Sequence, residues 1–184
     1  MSETPPMPEG EFDLIYADPP WEYRGNTTDP SRDIENHYPT MDLDEIKTLD
    51  VPAADDCILY LWTTAPKTAE AVEVIDSWGF DYRTNAVWDK KRLGLGHWFR
   101  VEHEILMVAV KGDASPPGTD KRRGSIVREE RRGHSEKPRK VRAHIEQAHP
   151  DAEKLELFSR DGRVGWTMWG NETVSEPQEK LEAF

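Results

Sequence analysis

Cysteine is almost missing from this chain. Cys57 stands alone in an apolar run, so an internal disulfide and a cysteine-based metal site are both excluded, and a reducing, intracellular setting is expected. No stretch approaches the ~20 consecutive apolar residues that a membrane-spanning helix needs. Met1 to Gly10 holds prolines and acids but neither the basic nor the apolar region of a secretory signal, and reads as a flexible N-terminus. Basic residues are scarce early on: Arg24, Arg32 and Lys47 are the only ones before residue 60. The six histidines form no ligand pattern, since His97 and His103 do not stand at helical spacing with a nearby acid; no metal is expected.

The net charge of −12 argues at first against a nucleic-acid partner. Its distribution argues the other way. Residues 121–142 hold Lys121, Arg122, Arg123, Arg128, Arg131, Arg132, Lys137, Arg139, Lys140 and Arg142. Phosphate binding needs local positive charge, not a basic total. A merely solvated charged segment is the plainer alternative. The excess of acids, with few lysines among them, also fits a high-salt cytoplasm.

With 184 residues, 36% of them hydrophobic, and seven tryptophans, the chain is long enough for one domain with a real core. Apolar strands are expected at Phe12 to Ala17, Cys57 to Trp62, Tyr82 to Trp88, Ile105 to Val110, Lys154 to Phe158 and Val164 to Trp169, with a short one at Ser125-Ile126-Val127. Asp42 and Glu45 resemble a capping box for a helix carrying Leu43, Ile46 and Leu49. Thr64 and Pro66 open a helix whose inner face is Val72, Ile75 and Trp78, closed by Gly79. Ser135 caps another, carrying Val141, Ile145 and Ala148 and stopped by His149-Pro150. The alternation predicts an α/β fold: a mostly parallel sheet with helices on both faces, and ligands at the carboxyl ends of the strands. The domain is expected over residues 11–172, between the segment 1–10 and an acidic tail at 173–184.

One of those strand ends is Asp18, followed by Pro19, Pro20 and Trp21. Adenine's exocyclic nitrogen is a weak nucleophile because its lone pair is delocalised into the ring. Accepting hydrogen bonds from both amine hydrogens draws that nitrogen towards tetrahedral geometry. The Asp18 carboxylate is one acceptor. The Pro19 carbonyl is the second, directed by rigid prolines and expected to be free of competition from a neighbouring N–H. Trp21 is placed to stack on the base. Such preorganised acceptors act on charge that develops in the transition state, and no general base is strictly required. An Asp-Pro-Pro turn is also common in purely structural roles.

The chain resembles the DPPW-type N6-adenine methyltransferases, a family that includes the catalytic subunit of the eukaryotic mRNA adenosine methyltransferase. The likeness runs from about Phe12 to Glu172. It includes Tyr16-Ala17-Asp18-Pro19-Pro20-Trp21, Tyr38-Pro39-Thr40-Met41, Leu59-Tyr60-Leu61-Trp62-Thr63, Gly96-His97-Trp98-Phe99, Val110-Lys111-Gly112, Ser135-Glu136-Lys137-Pro138, Glu156-Leu157-Phe158-Ser159-Arg160 and Trp169-Gly170-Asn171-Glu172. The resemblance implies a Rossmann-like domain using S-adenosyl-L-methionine (SAM), with the catalytic motif ahead of the cofactor-binding strand in a permuted order. That order accounts for the missing Gly-rich loop after the first strand. Gly94-Leu95-Gly96 reads as an ordinary loop.

By the same resemblance, Asp18 also meets the amino group of the cofactor's methionine moiety, and Lys137 reaches its carboxylate or the ribose. Arg160, Asp161, Gly162 and Arg163 line the nucleoside end, Asn171 and Glu172 contact the ribose, and Tyr38 lies beside the target base. The chain departs from the pattern in two places. Long relatives carry an acid well upstream of the motif for the cofactor's adenine, whereas 17 residues precede Asp18 here, so other residues or a partner chain are expected to complete that pocket. Asp161-Gly162-Arg163 also differs from the relatives' residues.

A base within a duplex cannot reach such a pocket, so the target is single-stranded or flipped out. Arg122, Arg123, Arg131 and Arg132 are expected to hold phosphates, and Trp98, with Phe99, to stack bases. The short chain favours DNA over RNA by analogy with phage or prokaryotic modification enzymes, acting in the cytoplasm. A homodimer, or a heterodimer with a methyltransferase-like chain, fits the same picture. The main rival is a non-catalytic relative that binds nucleic acid or scaffolds an active subunit, against which the intact Asp18 to Trp21 speaks. A small-molecule amine methyltransferase is a second, against which the basic segment speaks.

Overall fold

Phe12–Ala17 forms β1, buried at every position except Asp13, as expected of a strand with both neighbours paired and both faces covered. A computed structural model of the chain describes residues 5–23, 40–130, 136–159 and 162–170. The other strands are β2 (Ala53–Thr63), β3 (Asp81–Asp89), β4 (His103–Lys111), β5 (Ile126–Arg128), β6 (Lys154–Leu157) and β7 (Thr167–Trp169). They form one sheet in the order β5-β3-β4-β2-β1-β6-β7. β4 pairs antiparallel with β2 and β3, while every other pairing is parallel. Among the described strands β4 alone runs against the rest. It starts at the edge where its neighbours end.

Side-chain alternation over Leu14 to Ala17 divides β1 between two cores, and an irregularity in its pairing with β2 between Phe12 and Leu14 sets Phe12 with Ile15 and Ala17. Phe12, Ile15 and Ala17 face α1 (Leu43–Lys47) and α2 (Thr68–Ser77), packing with Ile46, Val74 and Ile75. Leu14 and Tyr16 face α3 (Arg139–Ala148), packing with Val141 and Ile145. A Rossmann-like three-layer fold results, as expected. No helix among the described residues is long and apolar enough to cross a membrane.

The capping box of α1 is present: Glu45 N donates to Asp42 Oδ1 at 2.8 Å, and Asp42 N to Glu45 Oε2 at 2.9 Å. Several expectations need correction. Thr64 makes no side-chain cap; a 3₁₀ turn at Ala65–Lys67 precedes α2, and the Thr64 hydroxyl pairs with the Tyr23 hydroxyl. Val72 points outward, 37% exposed, because the buried stripe of α2 runs through Ala71, Val74 and Ile75. β7 is shorter than expected because Gly165, at φ +82°, turns the chain and leaves Val164 exposed. Ser135 lies outside the described residues. The start of α3, after Pro138, is met by the Glu129 carboxylate, which accepts from Arg139 N and Lys140 N, each at 3.3 Å. The short strand β5 forms beside β3.

Candidate active site

The sheet brings four chain segments to one edge. Asp18 follows β1, Thr64 follows β2, Glu104 is the second residue of β4, and Lys137 lies just before α3. Lys137 Nζ sits 2.8 Å from Asp18 Oδ1 and 3.0 Å from Glu104 Oε2, with its ammonium over the Trp62 ring at 5.5 Å. The side chains of Lys137 and Glu104 are only 12% and 14% exposed, against 27% for Asp18. Asp18 is therefore the acid that a ligand can reach. Lys90 Nζ approaches Glu104 Oε1 at 2.5 Å and lies over the Trp88 ring.

Opposed effects set the ionisation here. Burial alone would raise the Glu104 carboxyl, but Lys137 and Lys90 outweigh it and hold the group below its ordinary value. Burial would likewise lower the Lys137 ammonium, but Asp18 and Glu104 outweigh it and push the group up. Both are charged at neutral pH. Tyr23, whose hydroxyl meets Thr64 and whose ring faces Lys67 Nζ at 5.5 Å, is raised by burial.

The diproline corner is a three-residue turn. Trp21 N donates to the Pro19 carbonyl at 2.9 Å, so a neighbouring N–H does compete for that oxygen, contrary to expectation. A carbonyl has two lone pairs, and among the described residues Trp21 N is the one backbone donor to this oxygen. Met41 N donates to the Pro20 carbonyl at 2.9 Å, pinning the corner to the segment after residues 38–39. Trp21 is 7% exposed, packs in the α1/α2 core, and donates through Nε1 to the Trp62 carbonyl at 3.2 Å. Little of its surface is left for stacking on a base; its ring supports the corner from below.

The remaining expected residues are dispersed. Arg163 forms a two-pronged pair with Glu146 of α3, at 2.6 and 2.9 Å, and Trp166 Nε1 donates to the same carboxylate at 2.7 Å. That engagement ties Arg163 to the helix, away from a nucleoside role. Gly162 is buried. Gly170 sits against Ser159, where a Cβ would come within 2.4 Å of the Ser159 carbonyl oxygen, so β7 and the end of β6 meet without room for a side chain. Arg122 and Arg123 are bonded to nearby carbonyls in an exposed loop, and Arg123 helps lower His144 of α3, after burial. Trp98, 95% exposed, and Phe99 project from the hairpin 90–102 that joins β3 to β4, closed by Lys90 N to Glu102 O and Gly94 N to Val101 O. Tyr38, Arg131, Arg132, Arg160, Asp161, Asn171 and Glu172 lie outside the described residues.

Glu104, Lys90, Tyr23 and Thr64 were not expected at the site. Glu104 had one signal in the sequence: an acid at the mouth of an otherwise apolar strand.

A Rossmann-like sheet with an Asp-Pro-Pro-Trp corner at its carboxyl edge defines a methyltransferase. The family model for MT-A70 matches residues 12–172, and the chain belongs to that family of N6-adenine methyltransferases. It is 36% identical over 197 residues to the type II methyltransferase M.MunI of Mycoplasma sp, covering 97% of this chain and 83% of that protein. It is 32% identical over 174 residues to the N(6)-adenosine-methyltransferase MT-A70-like protein of Arabidopsis thaliana, covering 89% of this chain and 24% of that one. It is 31% identical over 175 residues to the N(6)-adenosine-methyltransferase catalytic subunit METTL3 of Homo sapiens, of which it spans 28%.

Proposed function

We propose that the protein transfers a methyl group from SAM to the exocyclic N6 amine of an adenine in DNA, presented single-stranded or flipped out. The observation that carries this reading is the Asp18 carboxylate, set at the end of the buried strand β1, beside an ammonium 2.8 Å away, and followed by the diproline turn. An acid that already holds an ammonium suits the α-amino group of the cofactor, and Lys137 suits its carboxylate. Arg160, Asp161, Asn171 and Glu172 remain our candidates for the nucleoside end, with Gly162 beside them. When bound, SAM supplies the electrophilic methyl group.

The chain's own residues supply acceptors and shape. Asp18 and the remaining lone pair of the Pro19 carbonyl accept the two amine hydrogens and concentrate electron density on nitrogen. Methyl transfer would break the sulfonium S–C bond, release a neutral thioether and leave one amine proton to be lost, and the Asp18 carboxylate would accept that proton's hydrogen bond on its way to water. Trp21 keeps the corner rigid through its bond to the Trp62 carbonyl.

DNA is supported by the match along most of a type II methyltransferase, against about a quarter of the adenosine methyltransferases. Arg122, Arg123, Arg131 and Arg132 hold phosphates in this reading, Trp98 stacks bases, and Tyr38 lies by the target. A homodimer, or a heterodimer with a methyltransferase-like chain, belongs to the same reading. Incubation with labelled SAM and separate pools of single-stranded DNA, duplex DNA and RNA, followed by nucleoside analysis, tests the proposal. Label in N6-methyladenine from DNA is the expected result; label confined to RNA would overturn the polymer. A silent calorimetric titration with SAM would favour the scaffold instead.

A further inference from the structure

Lys137 is held between two carboxylates, and the reaction as derived uses only the first. Its Nζ lies 2.8 Å from Asp18 Oδ1, at the end of β1, and 3.0 Å from Glu104 Oε2, near the start of β4. The other Glu104 oxygen faces Lys90. Two acids and two lysines thus balance at the sheet edge. A ligand bringing its own N–H donors to Asp18 shares that carboxylate with Lys137 and competes for Oδ1, where Lys137 sits. An ammonium displaced into so enclosed a position with no second partner would be a costly buried charge.

We propose that Glu104 is a positioning residue that retains Lys137 when a ligand's amine takes Asp18. The inference rests on the methyltransferase reading above. No covalent bond changes in this exchange. One N–H donor leaves Asp18 and another arrives, while Lys137 keeps its contact with Glu104 and its place over Trp62. Charge stays matched: the ligand's ammonium faces Asp18, and Lys137 faces Glu104. The buried acid thereby leaves the more exposed acid available, and Lys137 stays within reach of a ligand carboxylate.

Glu104→Gln keeps the shape and removes the charge. Of the two acids, Lys137 then has Asp18 alone, and competes with any incoming amine. The full chain is titrated calorimetrically with S-adenosylhomocysteine and with 5′-methylthioadenosine, which has the nucleoside and sulfur but lacks the amino-acid moiety. The expected result is a loss of about tenfold in affinity for S-adenosylhomocysteine, a change within about twofold for methylthioadenosine, and recovery of most of the loss in Glu104→Asp. Equal losses for both ligands would make Glu104 a general support of the fold and overturn the proposal. So would an unchanged affinity for S-adenosylhomocysteine. A wild-type protein that binds neither ligand would overturn the methyltransferase reading and this one with it; wild-type binding with an indifferent Glu104→Gln would overturn this one alone.

Discussion

The Trp62 indole N–H donates to the Tyr16 hydroxyl at 2.6 Å, between neighbouring strands and beneath the Lys137 ammonium. Tyr16 also meets Trp166 edge to face at 6.0 Å, and Trp62 meets Trp88 in the same manner at 6.1 Å. A line of four rings therefore floors the ion pairs. Burial pushes the Tyr16 hydroxyl up to about 12, so it stays protonated and keeps its acceptor lone pairs at any working pH. Tyr16→Phe would leave the buried indole N–H without this acceptor. A loss of about 1–3 kcal/mol is expected in urea unfolding; an unchanged midpoint would show that the indole finds another acceptor.

Asp18→Ala should abolish methyl transfer while leaving the fold intact. Lys137 keeps Glu104 as a partner in this variant, so no ammonium is stranded. Single-turnover rates and thermal melts check both halves. A near-normal rate would remove Asp18 from the chemistry.

Acid should weaken the sheet edge in a predictable sense. Because Lys137 and Lys90 overcome burial and hold Glu104 low, its stabilising effect is present above the ordinary carboxylate range and is lost as pH falls through the lower folded value. On the alkaline side Lys137, held high, contributes below the ordinary lysine value of about 10.4 and stops contributing only above it. Urea midpoints measured from about pH 7 down to pH 3 should fall less steeply in Glu104→Gln than in the wild type. Parallel curves would mean that the pair adds nothing on folding.

Glu129 meets two backbone N–H groups at the start of α3. Glu129→Ala should cost about 1–2 kcal/mol, as for loss of a helix cap. Amide hydrogen exchange should quicken first at Arg139 and Lys140, and protection unchanged at both would assign the capping to other groups.

Replacing Arg122, Arg123, Arg131 and Arg132 together by Gln should weaken polynucleotide binding and flatten its dependence on salt. Titrations at two or more ionic strengths measure that slope. An unaltered slope would leave the loop a role in solubility alone.

The apolar strands and the Asp18 corner were legible because their signals are local: unbroken burial in β1, a capping box at Asp42, a rigid Pro-Pro turn. Glu104 was not, since its meeting with Lys137 beside Asp18 depends on strand order and on the reversed sense of β4, which side-chain alternation does not encode. Trp21 is more enclosed than its place in the sequence suggests, for a related reason. A tryptophan beside a catalytic corner invites stacking, but the Trp62 carbonyl that binds its N–H lies across the sheet edge. Thr64 likewise looked like a cap until Tyr23 claimed its hydroxyl. Arg163, expected at the nucleoside end, is held by Glu146, which lies far off in the sequence.

The lone reversed strand carries a consequence of its own. Since β3 ends and β4 begins side by side, the turn between them is anchored at both feet by Lys90 and Glu102 and free at its tip, where Trp98 stands. Its length and chemistry can be exchanged without moving Glu104, so the part that touches the outside world is insulated from the part that does the chemistry. Substitutions at Trp98 and Phe99, both largely exposed, are therefore expected to leave Glu104 in place, whereas Gly94 and Gly96 have no room for a side chain.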